Sequence, residues 1–288
     1  MIQSLREVVR EFAEKYKTPR TGFESQIAAW QKAIGPYYPG EMTVIGARPG
    51  VGKTSLILTE AAAMSVRTKA DGSPIKQLFC SFEQPSYSVG MTAMCLMMQF
   101  PTFTEMRKQE VHPEQIAEFA EWSGFDTPLY FMFEPATTDE VECQAGELGV
   151  DIVWVDYMQI CRSGESQDAA EQRISQISGG FTRLAKVLDI PVVVLAQLNR
   201  RAVDPKTGQE PEPTSADLKY SDKIFADAAT LVLLHRPDRN NPICKVICVK
   251  NRFGEVPEPF DIELDGAIRR FGDVGHTKRR IERQKEEF

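Results

Sequence analysis

The sequence predicts an α/β domain with a mostly parallel sheet and helices on its faces. Three observations carry that prediction. Short apolar runs at 42–45, 78–82, 128–133, 152–155 and 191–195 are nearly continuous, as in strands covered on both faces. Segments with apolar residues at three- and four-residue spacing separate them, so strand alternates with helix and the crossovers are right-handed. A glycine-rich stretch, GARPGVGKT at 46–54, joins the first run to the first core helix.

Taken in order, Ile2, Leu5, Val8, Val9, Phe12 and Tyr16 recur at helical spacing and predict an amphipathic helix over 1–17, ended by Thr18-Pro19. Turns at Gly35-Pro36 and Pro39-Gly40 separate it from the core, so it either folds back on its own domain or serves as an arm on a neighbouring subunit. The run at 42–45 feeds the glycine-rich loop and a helix over 53–66; the run at 78–82 is closed by Glu83. Met91, Met94, Met97 and Met98 stand at helical spacing and are expected to be flexible core filler. An acidic helical region continues to Trp122, and three strands follow from the runs at 128–133, 152–155 and 191–195. Ile174, Ile177, Phe181, Leu184 and Leu188 mark one face of the helix between the last two. Runs at 229–234 and 246–249 add strands near the end. Two long connections, 162–170 and 200–217, leave the carboxyl ends of parallel strands, where ligands of such folds bind.

A chain of 288 residues with 42% hydrophobic content can bury one substantial core, which predicts a single domain. No apolar run approaches the roughly 18 residues of a membrane span, and the charged start does not suit a signal peptide, so a cytoplasmic protein is expected. Cys80, Cys95, Cys143, Cys161, Cys244 and Cys248 lie in apolar segments and are expected to be buried thiols. A net charge of −7 argues against coating nucleic acid with the whole surface and leaves room for a local basic groove or pore. The tail at 276–288 begins basic and ends acidic, the pattern of a solvated helical end.

In the glycine-rich loop, Gly50 and Gly52 let backbone N–H groups face inward where side chains would block a phosphate. Lys53 is placed to neutralise phosphate oxygens, and the Thr54 hydroxyl to ligate Mg²⁺. The usual pattern opens with glycine where this chain has Ala47, but a strand before and a helix after restore the context, so Arg48, Pro49, Gly50, Val51, Gly52, Lys53, Thr54 and Ser55 are assigned to nucleotide binding. Asp156 ends a buried strand expected beside the one that feeds the loop, where a second magnesium contact belongs. Glu83, at the tip of another strand, is the candidate base for an attacking water. Gln197 is a neutral polar group at a further strand tip, suited either to satisfying a turn or to sensing the γ-phosphate.

The ordered strings TPRTGFESQ, GARPGVGKT, LFCSFEQPS, DIVWVDYMQI, ISQISGGFTRLAKVLDIPVVVLAQLNRR, DLKYSDKIFADAATLVLLHRPD, VKNRFG and RRF together resemble the RecA-like motor domain of DnaB-type hexameric replicative helicases, superfamily 4, over roughly 18–273. The resemblance divides the chain into a linker helix at 1–17, a RecA-like P-loop ATPase core at 18–275 and a charged tail at 276–288. It implies ATP and Mg²⁺ as cofactors, a homo-hexameric ring moving 5′ to 3′ on single-stranded DNA and unwinding duplex, and a primase and a helicase loader as candidate partners. It also implies that Lys53, Thr54 and Asp156 hold MgATP, Glu83 activates water, Gln197 is the sensor, and Lys250 and Arg252 reach into the neighbouring subunit's site. DNA contact falls to Arg200, Arg201, Lys219, Tyr220 and Ser221; Asp222 stands where the family has a small glycine and would repel a nearby phosphate. Two other readings stay open at this point: a filament-forming recombinase, and a loader or regulatory subunit switched by nucleotide.

Overall fold

The computed structural model describes residues 4–17, 21–163, 170–199, 210–218 and 221–286. Among them nine strands form one sheet: β1 (Met42–Ala47), β2 (Gln77–Ser81), β3 (Leu129–Met132), β4 (Ile152–Asp156), β5 (Val192–Gln197), β6 (Thr230–His235), β7 (Ile243–Asn251), β8 (Phe260–Asp265) and β9 (Arg270–Gly272). The strand order is β3-β2-β4-β5-β1-β6-β7-β8-β9. From β3 to β6 the pairing is parallel; β7, β8 and β9 extend the sheet antiparallel.

Burial follows from the patterns. Every residue of β1, β2 and β4 is buried, as near-continuous apolar strands in a doubly covered sheet must be. Alternate residues feed two cores. Val153, Val155, Val192 and Val194 join Val141, Phe181 and Leu184 on one face. Trp154, Val193 and Leu195 join Trp30, Leu56 and Ile57 on the other. The first core is closed by α7 (Thr138–Leu148) and α8 (Ala170–Leu188), the second by α2 (Ala28–Ala33) and α3 (Lys53–Ser65). Helix α7 starts where Thr137 and Glu140 cap each other's backbone N–H groups, and stops at Gly149 in the left-handed region.

Three expectations are corrected. The run at 128–133 is not covered on both faces: β3 is the edge strand, none of its residues is buried, and Tyr130 is exposed. An edge strand has a neighbour on one side only, so its side chains are less enclosed. The four methionines are not core filler. They sit half-buried on or just inside the surface of α4 (Ser86–Met98), where Met91 and Met94 line an apolar groove shared with α5 (Phe103–Arg107) and α6 (Pro113–Ala120). Cys143 is exposed on the outer side of α7, whereas the other five thiols are buried.

Strands β8 and β9 were not among the predicted elements; FDIELD alternates, and its charged residues hide it beside the stronger runs. No helix among the described residues is long and apolar enough to cross a membrane. The amino-terminal helix α1 (Leu5–Tyr16) leaves Leu5, Val8, Val9, Phe12 and Tyr16 exposed.

Candidate nucleotide site

Strand β1 ends at Ala47 and α3 begins at Lys53, so the five residues between them make the turn. Gly50 and Gly52 adopt φ of 77° and 114°, values that L side chains rarely take. A Cβ on Gly52 would also come within 2.9 Å of the Phe271 ring. Backbone shape and packing therefore both require glycine there.

Lys53 follows directly and is 8% exposed, its Nζ donating to the Ala47 carbonyl at 3.2 Å. Burial pulls its pKa down, opposed by the carboxylates of Asp156 and Glu83. Asp156 is fully buried at the end of β4. Its strand is not beside the one feeding the loop, as the sequence suggested, because β5 is inserted between β1 and β4. The helix that follows the loop closes the gap: Thr54 Oγ1 donates to Asp156 Oδ2 at 2.6 Å. The other oxygen, Oδ1, is buried without a hydrogen-bond partner among the described residues. Burial raises this carboxyl to about 6, the Thr54 hydroxyl and Lys53 opposing the rise and Glu83 adding to it. An orphaned carboxylate oxygen beside a threonine hydroxyl is a donor set that suits a hard cation such as Mg²⁺.

Glu83 is set by the register of β2 on β4. Ser81 pairs with Asp156, and Phe82 N donates to the Asp156 carbonyl at 2.9 Å, so Glu83 emerges at the lip. Gln197 pairs with Ala47 at the end of β5. Its backbone is bracketed by the Gln159 amide, which donates to Gln197 O at 3.3 Å and accepts from Gln197 N at 3.2 Å. Lys53, Thr54, Ser55, Glu83 and Gln197 all line one cavity of about 540 Å³, together with Pro49, Gly50 and Gly52.

Two loop residues turn elsewhere. Val51 is buried in the core on the α3 face. Arg48 is 3% exposed and outside the cavity lining; its Nη1 donates to Pro211 O at 2.8 Å, and Nε and Nη2 have no partner among the described residues. The sequence reading missed three cations that do line the cavity, Arg236, Arg239 and Arg269. Arg239 Nη2 donates to Pro49 O at 2.7 Å and Arg236 Nη2 to Gly50 O at 3.3 Å, so both clasp the phosphate loop. Arg269 stacks 3.9 Å over the Phe103 ring. The strings LHRPD and RRF contained two of them without saying where they point.

Lys250 and Arg252 are not in this cavity. Lys250 lies near the end of β7, after a register shift between Leu231 and Val232, and Arg252 just past it. Both donate to the Ala226 carbonyl of α9 (Ser221–Asp227). Burial and the nearby Arg252 lower the Lys250 pKa. Of the residues assigned to DNA, Arg200, Arg201, Lys219 and Tyr220 lie outside the described residues, and Ser221 opens α9.

Comparison with known proteins decides the family. A model of the DnaB-like helicase C terminal domain matches residues 22–273. The chain belongs to the DnaB-like helicase C-terminal domain family. Within it, the chain is 29% identical over 276 residues to the replicative DNA helicase DnaB of Leifsonia xyli, covering 91% of this chain and 58% of that protein. It is 28% identical over 257 residues to DnaB of Treponema pallidum, covering 87% and 56%. The chain thus spans somewhat more than half the length of these DnaB relatives. The solved ATPase domain of G40P superposes with a TM-score of 0.78 at 20% identity, over 95% of this chain and 100% of that one. A DnaB-like replicative helicase, solved for its interactions with primase, gives a TM-score of 0.77 at 20% identity, over 95% and 68%. The DnaB-like, RecA-like fold is the one built here.

Proposed function

We propose that this chain is the motor of an ATP-dependent replicative DNA helicase, a ring of six copies that moves 5′ to 3′ along single-stranded DNA. The observation that carries this is the Thr54–Asp156 contact beside buried Lys53, with one Asp156 oxygen left for a cation. It stands within a family whose named relatives are replicative helicases.

The phosphate loop and Lys53 bind the triphosphate; Thr54 and Asp156 would hold Mg²⁺, which would supply positive charge against the phosphates. Glu83 accepts the proton of the attacking water, and Gln197 senses the γ-phosphate and passes its state to the connection that follows β5. Arg236, Arg239 and Arg269 add positive charge to the same pocket. Lys250 and Arg252, absent from their own cavity, serve a neighbouring copy, so hydrolysis depends on assembly. The exposed apolar face of α1 docks on another copy, and the methionine-lined groove of α4 to α6 is its acceptor. A primase and a loader are the further partners of this reading.

The test is ATP turnover with and without a single-stranded oligonucleotide. DNA stimulates the native chain severalfold, and Lys53→Ala loses at least 100-fold of turnover, the order expected when a phosphate clamp is removed. Full turnover in Lys53→Ala would refute the site.

A further inference from the structure

The tail GHTKRRIERQKEEF forms α10 (His276–Glu286), and this helix packs against β8 instead of standing free. Arg280 Nε donates to Asp265 Oδ2 at 2.7 Å. His276, Arg279, Arg280 and Arg283 share one helical face. That face and Arg270 of β9 line a cavity of about 230 Å³.

The carboxylates here are already engaged. Asp273 accepts from Ala28 N at 3.1 Å and Ala29 N at 2.8 Å, Asp265 holds Arg280, and Glu263 accepts from Gly275 N. Among the described residues Arg270 donates to the neutral Gln26 amide, at 3.3 Å. Among the described residues Arg279 and Arg283 have no ion pair. Arg270, Arg279 and Arg283, with Arg280, thus line one cavity, where Asp273 and the nearby Asp265 offset only part of their charge. A second cavity, of about 340 Å³, adjoins the first through Gln26, Gln99 and Arg270, and Trp122 lines it. Trp122 is 42% exposed, while Trp30 and Trp154 are buried in the core.

We infer that this face binds single-stranded nucleic acid outside the nucleotide cavity, phosphates lying on Arg270, Arg279 and Arg283 and a base stacking on Trp122. Cations that track a backbone beside an aromatic platform are what sequence-tolerant single-strand binding requires. The inference rests on the reading of the chain as a protein that handles single-stranded DNA, and adds a contact which that reading does not assign.

The experiment titrates a fluorescent oligo-dT into the full chain saturated with a non-hydrolysable ATP analogue and Mg²⁺, at several salt concentrations. In Arg279→Ala/Arg283→Ala the affinity falls at least fivefold at low salt. The plot of log affinity against log salt becomes shallower by about 1.4, from 0.7 per phosphate for two phosphates. Arg279→Lys/Arg283→Lys keeps the native slope. Oligo-dT quenches tryptophan emission in the native chain, and Trp122→Phe removes the quench. Affinity, slope and quench all unchanged by the alanine variant overturn this site while leaving the helicase reading intact; a native chain that binds no oligo-dT overturns both. If inorganic pyrophosphate binds the native chain and not the alanine variant, yet oligo-dT does not distinguish them, the site takes free phosphate and the inference is wrong.

Discussion

At the scale of single residues, Asp156, the proposed Mg²⁺ ligand, is a buried carboxyl held at the expense of stability. Its carboxyl, ordinarily near 3.8, is raised to about 6 because burial disfavours the charged form more than Thr54 and Lys53 favour it. A raised folded-state value means that the folded form is favoured while the proton is bound. As pH rises from about 4 to about 6, the unfolded chain releases its proton first, and the fold loses on the order of 3 kcal/mol. Glu60, buried on α3 and raised to about 7 chiefly by burial, adds a similar loss at slightly higher pH. Variant and native chain must therefore be compared at each pH. Asp156→Asn is expected to melt about 5 °C higher than the native chain at pH 8 without Mg²⁺ or nucleotide, to melt equally at pH 4, and to lose ATP turnover. A melting point at pH 8 equal to or below the native one would show that the buried charge costs the fold nothing.

At the scale of elements, the phosphate loop and the connection after β5 are tied to each other. Leu198 N donates to the Ala47 carbonyl at 3.1 Å, Asn199 N to the Asp217 carbonyl at 2.9 Å, and Leu198 pairs with Leu218. Buried Arg48 adds its bond to Pro211 O and a longer one, 3.4 Å, to Glu210, while Glu212 pairs with Lys245 of β7. The stretch 210–218 is thus strapped between the phosphate loop and the strand that carries Lys250. A hydrogen bond from a charged donor contributes roughly 1.5–3 kcal/mol, so Arg48→Met should speed amide exchange across 210–218 by about tenfold or more while core strands keep their protection. Equal exchange in variant and native chain would mean that Arg48 is not the strap. This contact also marks where sequence legibility ended. β1, β2, β4 and β5 were readable because burial on both faces leaves an uninterrupted apolar run, and Lys53, Thr54 and the glycines because one turn places them in succession. The cavity arginines were not readable as a set: Arg236 and Arg239 come from the turn after β6 and Arg269 from the turn before β9, so they meet only when the antiparallel strands fold over the loop. Methionine spacing gave a helical face but not what covers it, which is why Met91 and Met94 came out on a groove.

At the scale of the whole molecule, the sheet separates two groups of residues that the proposed function assigns to one chemistry. The phosphate loop, Asp156, Glu83 and Gln197 gather at the carboxyl ends of the parallel strands. β7 runs the other way, so its end, with Lys250 and then Arg252, lies beside the start of β6, where Thr230 pairs with Asn251. Antiparallel pairing therefore carries Lys250 and Arg252 away from their own nucleotide cavity; in the ring proposed above, a head-to-tail neighbour would bring another copy's pair to it. Complementation follows from that geometry. Lys53→Ala lacks the phosphate clamp and Lys250→Ala/Arg252→Ala lacks the trans charges, so each alone is expected to be inactive. In randomly mixed rings at equal ratio, half of the cavities keep Lys53 and half of their neighbours keep the cationic pair, which makes about a quarter of the sites complete. ATP turnover of the mixture should therefore rise to about a quarter of native if sites act independently, and less if they act in concert. The measurement is steady-state turnover after the two variants are mixed as monomers and reassembled. A mixture no more active than its components would place Lys250 and Arg252 outside the neighbour's chemistry.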